Sequence, residues 1–514
     1  MTWSFDDARQ VDYTHGYYRN LSPAMLRFAC LRAGVRPPDR QAEGNWRYLE
    51  LGFGQGLSVN IHAAASQGDY WGTDYNPTHA ARAGSMAAAA GTGARLLDAS
   101  FAELAARDDL PEFDVIALHG IWSWISDEAA ADIIRIIQRR LKIGGLVSIS
   151  YNCLPGAGPA IPLRHLLKLH ASLAGTASDP AAAMEAALGF VQSIADSSAS
   201  HFRHNPIAEA RLKHMFGQSR SYLVHEYLAA DFRVPSFADV ARQLAEAKLQ
   251  FVASSHLLDA VDGINLTPDA AALLAGIGQP VLRETARDYL INQTFRRDVF
   301  VRGRQAMSAL QQHEALMAQA FVLTQPAEKV PYVMTGPVGE VSLQEPLFRP
   351  LVAALARDGH APKTMAALGH DPALVSFGAA GVAEALVVLT GAGYVELACT
   401  PRAEAIAACQ RLNTHLLDRA RGSDEIGFLA SPVSGGGIAV SRTQQLFLLA
   451  ARHGAETPGD QGAFVWGILA SQGQRLMKDG VPLSGDADSI ALLAAEAADF
   501  AAARAPILAV LGIS

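Results

Sequence analysis

Residues 46–56, WRYLELGFGQG, constrain this chain more than any other stretch. An apolar run that reads as a strand breaks into three glycines at alternate positions, and a helical pattern takes over from Leu57. Glycine in such a turn lets the backbone pass close to a ligand, and the helix that follows presents free N–H groups at its start. A strand, tight turn and helix in this order form half of a βαβ unit, so the fold class is α/β with a parallel sheet. The spacing also discriminates between ligands. A dinucleotide fingerprint would place its third glycine at position 57, which is Leu57, and would rest a pyrophosphate in the turn. Here the glycines are spaced GxGxG and Glu50 stands two positions before the first. A carboxylate there favours a cationic ligand over a phosphate.

The alternation continues downstream. Strands are predicted at 69–73, 95–97, 113–118 and 146–151, with a helix over 128–141 that stops at Gly144 and Gly145. Residues 160–220 read as helical throughout, with apolar positions such as Leu163, Leu166, Leu167 and Leu169. The βαβ rhythm then resumes. An amphipathic helix at 237–249 leads into a strand at 250–254, and RRDVFVR at 296–302 alternates like a half-exposed strand. These two are read as the last strands of the same sheet, which makes 160–220 an insertion. Beyond residue 305 the chain is Ala- and Leu-rich and mainly helical, with a turn-rich break at 324–339. Residues 343–398 have the rhythm of a winged helix, and too little positive charge there favours a packing module over DNA binding. The run Gly435–Gly437 reads as a turn. At 514 residues several domains are expected. The boundaries are 1–160 for the Rossmann-like core, 161–220 for the helical insertion, 221–305 for a region completing the sheet, 306–400 for a winged-helix-like middle domain and 401–514 for a helical C-terminal domain.

Two further acidic residues extend the first motif. Asp74 follows at the end of the next strand, 24 residues beyond Glu50, the spacing at which a carboxylate accepts hydrogen bonds from ribose hydroxyls. Asp98 ends the strand after that. The carboxyl ends of parallel strands line one crevice, so Glu50, Asp74 and Asp98 are expected to face a common ligand. Either aspartate alone is equally well explained as a turn or cap residue.

The runs ELGFGQG, GTDYNPTHA and LLDASF resemble motifs I, II and III of class I S-adenosylmethionine-dependent methyltransferases. DYTHGYYRNLSP at 12–23, FDVIALHGIWSWIS at 113–126 and LVSISYNCLPG at 146–156 resemble the bacterial members that carry a methyltransferase regulatory domain. SYLVHEYLAADFRVPSFADV at 221–240 and LRETARDYLINQTFRRDVFVRG at 282–303 resemble that regulatory domain itself. This family includes the rickettsial-type lysine methyltransferases that modify outer-membrane proteins. The match covers roughly residues 10–305, and the C-terminal third only in general character. The resemblance implies a Rossmann-like sheet that binds S-adenosylmethionine, releases S-adenosylhomocysteine and uses no metal. The implied cofactor contacts are Tyr17, Glu50, Gly52, Phe53, Gly54, Gly56, Asp74, Tyr75, Asn76, Asp98, Ala99, His119 and Gly120, with Tyr17 and Tyr18 closing the pocket. It further implies a homodimer, with the insertion as a dimerisation element.

Methyl transfer is an in-line displacement, so the protein must align the nucleophile and exclude water. Candidates for that work are Tyr18, His119, Trp122, Trp124 and Tyr151, the last beside Asn152. Trp122 and Trp124 are placed to line an acceptor slot through cation–π contact, and interdomain packing explains them equally. His119 is a candidate general base, or a histidine held by cofactor or backbone hydrogen bonds. The chain lacks an Asn/Asp-Pro-Pro-Tyr signature at this strand end, so an amine acceptor does not follow from the motif. His225 and Glu226 do not form HExxH and are read as structural. The leading acceptor is a lysine of a surface or envelope protein. A small molecule or glycan, and a regulator that binds the cofactor without turnover, remain open.

Composition narrows the setting. Lys and Arg number 42 against 50 Asp and Glu, a net charge of −8, which argues against sequence-independent nucleic-acid binding. The four cysteines are scattered without CxxC pairs, so a reducing compartment is expected and a zinc site is not. The start, MTWSFDDARQ, has no signal-peptide core, and no apolar run reaches membrane-spanning length. The expected location is cytoplasmic.

Overall fold

The computed structural model describes residues 15–38, 46–173, 179–478, 480–483 and 485–514, so the segment 1–10 and the first residues of DYTHGYYRNLSP lie outside it. A first helix, α1 (Pro23–Arg32), is followed by alternating elements: β1 (Arg47–Leu51), α2 (Leu57–Ala65), β2 (Asp69–Asp74), α3 (Pro77–Ala90), β3 (Arg95–Asp98), α4 (Phe101–Ala106), β4 (Phe113–Leu118), α5 (Asp127–Arg140) and β5 (Leu141–Asn152). Local chemistry sets the helix starts. The Asn76 side chain accepts from Thr78 N–H with Pro77 in the first turn. Ser100 and Glu103 form a reciprocal capping box, and Ser126 accepts from Ala129 N–H. These satisfy N–H groups that a helix start leaves unpaired.

Among the described residues five helices then interrupt the sheet: α6 (Ala160–Leu173), α7 (Pro180–Asp196), α8 (Ser200–His204), α9 (Pro206–Met215) and α10 (Arg220–Leu228). They carry a core of their own, which includes Leu167, Leu188, Phe202 and Leu212. The sheet resumes with α11 (Phe237–Ala245), β6 (Leu249–Ser254), α12 (Asp262–Asn265), α13 (Pro268–Ala275), α14 (Pro280–Ile291) and β7 (Phe295–Arg302). The seven strands run in the order β3-β2-β1-β4-β5-β7-β6. β7 is antiparallel to both β5 and β6, and β1 to β5 are mutually parallel. The last two strands therefore complete the same sheet, with the helical block inserted ahead of them.

The remainder builds two further units. The middle one holds a three-stranded antiparallel sheet whose central strand, Ala320–Leu323, lies between Lys363–Thr364 and Val395–Ala398. Its centre strand precedes the helices Glu345–Ala356 and Gly378–Gly391, and its outer strands follow them one each. A hairpin, Val333–Gly336 with Gly339–Ser342, begins within the stretch read as a turn-rich break. The last unit does not stand apart. Leu412, Leu416 and Ile438 share one core with Leu57 and Ile61 of α2 and Met86 of α3. As a result every residue of α2 is buried, where an amphipathic surface helix would leave one face to water. No helix among the described residues is long and apolar enough to cross a membrane.

Candidate active site

The glycine turn after β1 is held to β2 by Gly52 N–H and Phe53 N–H, which donate to the Thr73 carbonyl at 2.8 and 3.3 Å. Gly52, Gly54 and Gly56 all adopt left-handed backbone conformations. Their surroundings differ. A Cβ on Gly52 would lie 2.4 Å from Ile121 Cδ1, and one on Gly56 2.3 Å from Ala83 Cβ, so both are excluded by packing. A Cβ on Gly54 would meet nothing within 4 Å among the described residues, which leaves open space beside the turn there. Phe53 is buried against Gly72.

Asp74, 7% exposed, is oriented by three donors. Gly54 N–H reaches Oδ2 at 2.8 Å, Asn76 N–H reaches Oδ1 at 3.0 Å, and His79 Nδ1 lies 3.2 Å from Oδ1. Oδ2 thus keeps acceptor capacity for a ligand hydroxyl. The Asn76 side chain is taken up in capping α3, while Tyr75 beside it is 55% exposed on the rim. Asp98 pairs with Asp74 in the β2–β3 register and is exposed, and Ala99 N–H donates to the Asp74 carbonyl at 3.1 Å. Glu50 lies deeper, 3% exposed, with the Tyr48 hydroxyl 3.3 Å from Oε2. Burial pushes its pKa up to about 8, against the smaller pull of the Tyr48 hydrogen bond. The three acids are thus graded in depth, with Glu50 beneath the turn, Asp74 at its wall and Asp98 in the open.

The second half of the site lies across β4. Gly120 N–H donates to Ser150 Oγ at 2.8 Å, and Ser150 Oγ lies 2.9 Å from His119 Nδ1. Ser150 Oγ accepts the Gly120 amide and still has both a proton and a second lone pair to offer His119 Nδ1, so it serves either neutral tautomer. Burial, helped by the charge of Arg297, holds the His119 pKa down to about 3. Its ring stacks on Tyr18 with centroids 3.8 Å apart and stands edge-on to Phe295 at 5.7 Å. Tyr18 N–H donates to Ser58 Oγ at 2.9 Å, which ties this N-terminal segment to the first turn of α2. A Cβ on Gly120 would again meet nothing within 4 Å. His119, Gly120 and Tyr18 therefore come together at the carboxyl end of β4, across the crevice from the glycine turn.

Other expected site residues are placed elsewhere. Tyr17 turns into the C-terminal hairpin (Phe428–Ser431 with Gly436–Ala439), its ring 5.0 Å from Phe428 and 5.4 Å from His62. A Cβ on Gly437 would lie 3.0 Å from that ring, so the glycine run is a seat for Tyr17 as well as a bend. Trp122 is fully buried in the sheet core, and among the described residues its Nε1 has no hydrogen-bond partner. It cannot line an open slot in this conformation. Trp124 packs on Phe232 at 4.7 Å beneath the guanidinium of Arg164 from α6, so it joins the insertion to the sheet. Arg164 in turn donates to the carbonyls of Glu226 and Ala229 at the end of α10. Tyr151 is buried and donates to Asp298 Oδ2 at 2.7 Å, on the sheet face away from His119. Ser150 and Phe295 carried no local sequence signal, because they meet His119 only through strand pairing. Among the described residues no group of three or more His, Cys, Asp or Glu is placed to hold a metal.

Comparison with known proteins agrees with this geometry. A family model described as a methyltransferase domain matches residues 49–145, and one described as a predicted methyltransferase regulatory domain matches residues 219–302. The uncharacterized protein sll1526 of Synechocystis is 37% identical over 519 residues, which span all of both chains. The uncharacterized protein RP789 of Rickettsia prowazekii is 25% identical over 289 residues, 56% of this chain and 51% of its own. The structure of PKMT2 from Rickettsia typhi in complex with AdoHcy superposes with a TM-score of 0.70 at 17% identity, covering 97% of this chain and 100% of that one. At that identity the likeness is one of fold.

Proposed function

The chain belongs to the class I S-adenosylmethionine-dependent methyltransferases that carry a methyltransferase regulatory domain, and from that premise we propose that it methylates lysine side chains of a surface or envelope protein. The crevice suits such a cofactor on its own chemistry. Space stands open beside Gly54 and Gly120, where the backbone is left-handed and no side chain of the described residues fills it. Asp74 keeps an oriented acceptor for ribose hydroxyls, and Asp98 is open beside it. Tyr75 offers an exposed ring at the rim for a purine. When bound, S-adenosylmethionine supplies a methyl group on positively charged sulfur.

The observation that carries the lysine reading is the cluster of Tyr18, His119 and Phe295 at the carboxyl end of β4 and β5. Two aromatic rings flank an imidazole kept neutral by burial and by a neighbouring cation. An ammonium placed there meets the same two forces, so it gives up its proton and presents the lone pair that attack requires. His119 serves to orient rather than to accept the proton, because Nδ1 is committed to Ser150 and a pKa near 3 makes it a weak base. The full-length likeness in fold to PKMT2 supports the same direction.

The insertion fits a dimerisation role. Leu173 is 78% exposed, and Leu169, Phe190, Ile207 and Phe216 are also exposed on its surface. Static light scattering of the full chain, compared with a Leu173→Glu variant, tests that reading. The expected location stays cytoplasmic. The acceptor is tested by transfer of radiolabelled methyl into a lysate of the source organism, with protein and small-molecule fractions counted separately. Label in a discrete protein band, recovered as methyl-lysine after acid hydrolysis, is the expected result. Label confined to the small-molecule fraction would overturn the lysine reading.

A further inference from the structure

Arg296 and Arg297 are neighbours on β7 yet serve opposite faces of the sheet, because successive strand residues alternate. Arg296 is enclosed by Asp298, Asp288 and Glu284. Arg297 is half-buried, and among the described residues its guanidinium makes no hydrogen bond and no ion pair. Its Cζ rests 4.9 Å from the Phe295 ring centroid. Among the described residues the acid whose charge acts on it is Asp259, whose carboxylate is already engaged by His256 Nδ1 at 2.7 Å and Ser254 Oγ at 3.0 Å.

The strand register fixes where this cation stands. Arg297 lies opposite Ser150 on β5, and Ser150 Oγ is the group that holds His119. Phe295, under the guanidinium, stands edge-on to the His119 ring. The groups around Arg297 are thus the neutral His119 imidazole, the Phe295 ring, and Asp259, which acts on it by charge while hydrogen-bonding His256. None of them is an uncommitted anion. Holding a guanidinium partly out of water without a partner is unfavourable, and its planar fork of donors matches a carboxylate. We infer that Arg297 receives a carboxylate that arrives with a substrate, at the acceptor edge of the methyl-transfer site. Two sources share that chemistry: an acidic group of the acceptor next to the methylated atom, and the carboxylate at the amino-acid end of the cofactor. The inference rests on the reading of this strand edge as the place of methyl transfer.

The experiment compares the wild-type full chain with Arg297→Met and Arg297→Lys on three probes. These are AdoHcy, 5′-methylthioadenosine (which keeps the nucleoside and lacks the amino-acid group) and the lysate fraction that the wild type labels. Loss of a charge-assisted hydrogen-bond pair corresponds to roughly a tenfold or greater weakening, with partial recovery in the lysine variant. If Arg297→Met weakens AdoHcy and spares 5′-methylthioadenosine, the carboxylate is the cofactor's. If AdoHcy binding is unchanged and the acceptor KM rises with kcat held, it is the acceptor's. Equal weakening of both nucleosides, or no change on any probe, overturns the inference. The lysine reading is judged separately, by the fraction that takes label in the wild type. A wild type that labels nothing sinks that reading, and sinks the inference too if AdoHcy affinity is also unmoved.

Discussion

Two charged clusters on this sheet, one at the crevice and one on the face turned away from it, use the same residue types for opposite ends. On the β1–β2 side, the single carboxylate of Asp74 takes its donors from Gly54, Asn76 and His79, all close in sequence, and open space remains beside it. On the β5–β7 side, the Arg296 guanidinium, 5% exposed, gathers Asp298 at 2.8 Å, Asp288 at 2.5 Å and Glu284 at 3.1 Å, with Tyr151 donating to Asp298. It also lies 4.3 Å from the Phe237 ring centroid, which closes it off from water. Burial pushes Asp288 up to about 7 and raises Asp298 as well, so this excess of carboxylates retains a proton near neutrality. The first arrangement is prepared for a ligand. The second is complete without one, and it clamps α14 and β7 of the regulatory region onto β5. The difference lies in whether a charged group keeps unsatisfied capacity facing open space.

The largest effect should break the clamp. Arg296→Met leaves buried carboxylates without their cation, and unfolding in urea should show a loss of about 3 to 5 kcal/mol. AdoHcy affinity, measured on protein still folded at low temperature, should stay within about twofold. A variant that lost affinity while keeping stability would mean the two sides are not separate.

Glu50 tests the side prepared for a ligand. Its folded pKa of about 8 stands well above the ordinary carboxylate value of 4.5. Protonation is therefore favoured in the folded chain, so this contribution to stability is present at low pH. It is lost as the pH rises from about 4.5 through about 8. Across that window the cofactor-free wild type should lose on the order of 2 to 4 kcal/mol relative to Glu50→Gln, read from urea midpoints at pH 5 and pH 9. Parallel curves for the two proteins would mean that Glu50 is ionised when folded.

Asp74→Asn should do the reverse of Arg296→Met. Folding stability should fall by only about 1 to 3 kcal/mol, since the amide NH2 opposes one of the N–H donors that Asp74 now satisfies. AdoHcy affinity should fall roughly tenfold, because a charged acceptor becomes a neutral one with half its accepting oxygens. Calorimetric titration and thermal unfolding of the same samples separate the two quantities.

How much of this was legible follows the same division. The glycine turn, Asp74, Asp98 and the strands around them lie within one short stretch, so turn chemistry and spacing carried the reading. Of the glycines, packing fixes Gly52 and Gly56 through Ile121 and Ala83, contacts that the spacing alone does not reveal. The completion of the sheet by β6 and β7 was legible from alternation. The role of Tyr151 was not, because its partner Asp298 lies far along the chain and only the β5–β7 register brings them together. Trp122 was ambiguous for a related reason: a large ring after a strand suits a slot or a core, and burial decides. The direction of Tyr17 was hidden because its seat, Gly436 and Gly437, lies in the last domain.

The smallest effect sharpens the comparison most, because Tyr151 and Ser150 are adjacent on β5 and point to opposite faces. Tyr151→Phe removes one hydroxyl that donates to Asp298, while Arg296 still bonds the same carboxylate through Nε at 2.8 and 3.1 Å. The buried acceptor is thus not left bare, and the expected cost is about 1 kcal/mol in urea unfolding. Methyl transfer should be unchanged in both kcat and KM, since the ring faces the clamp and touches nothing in the crevice. Ser150→Ala, one residue back, frees His119 Nδ1 and Gly120 N–H, and should lower kcat at least severalfold with a comparably small loss of stability. If Tyr151→Phe depressed kcat instead, the clamp and the transfer site would be one unit, and the division drawn here between a completed charge network and an open one would fail.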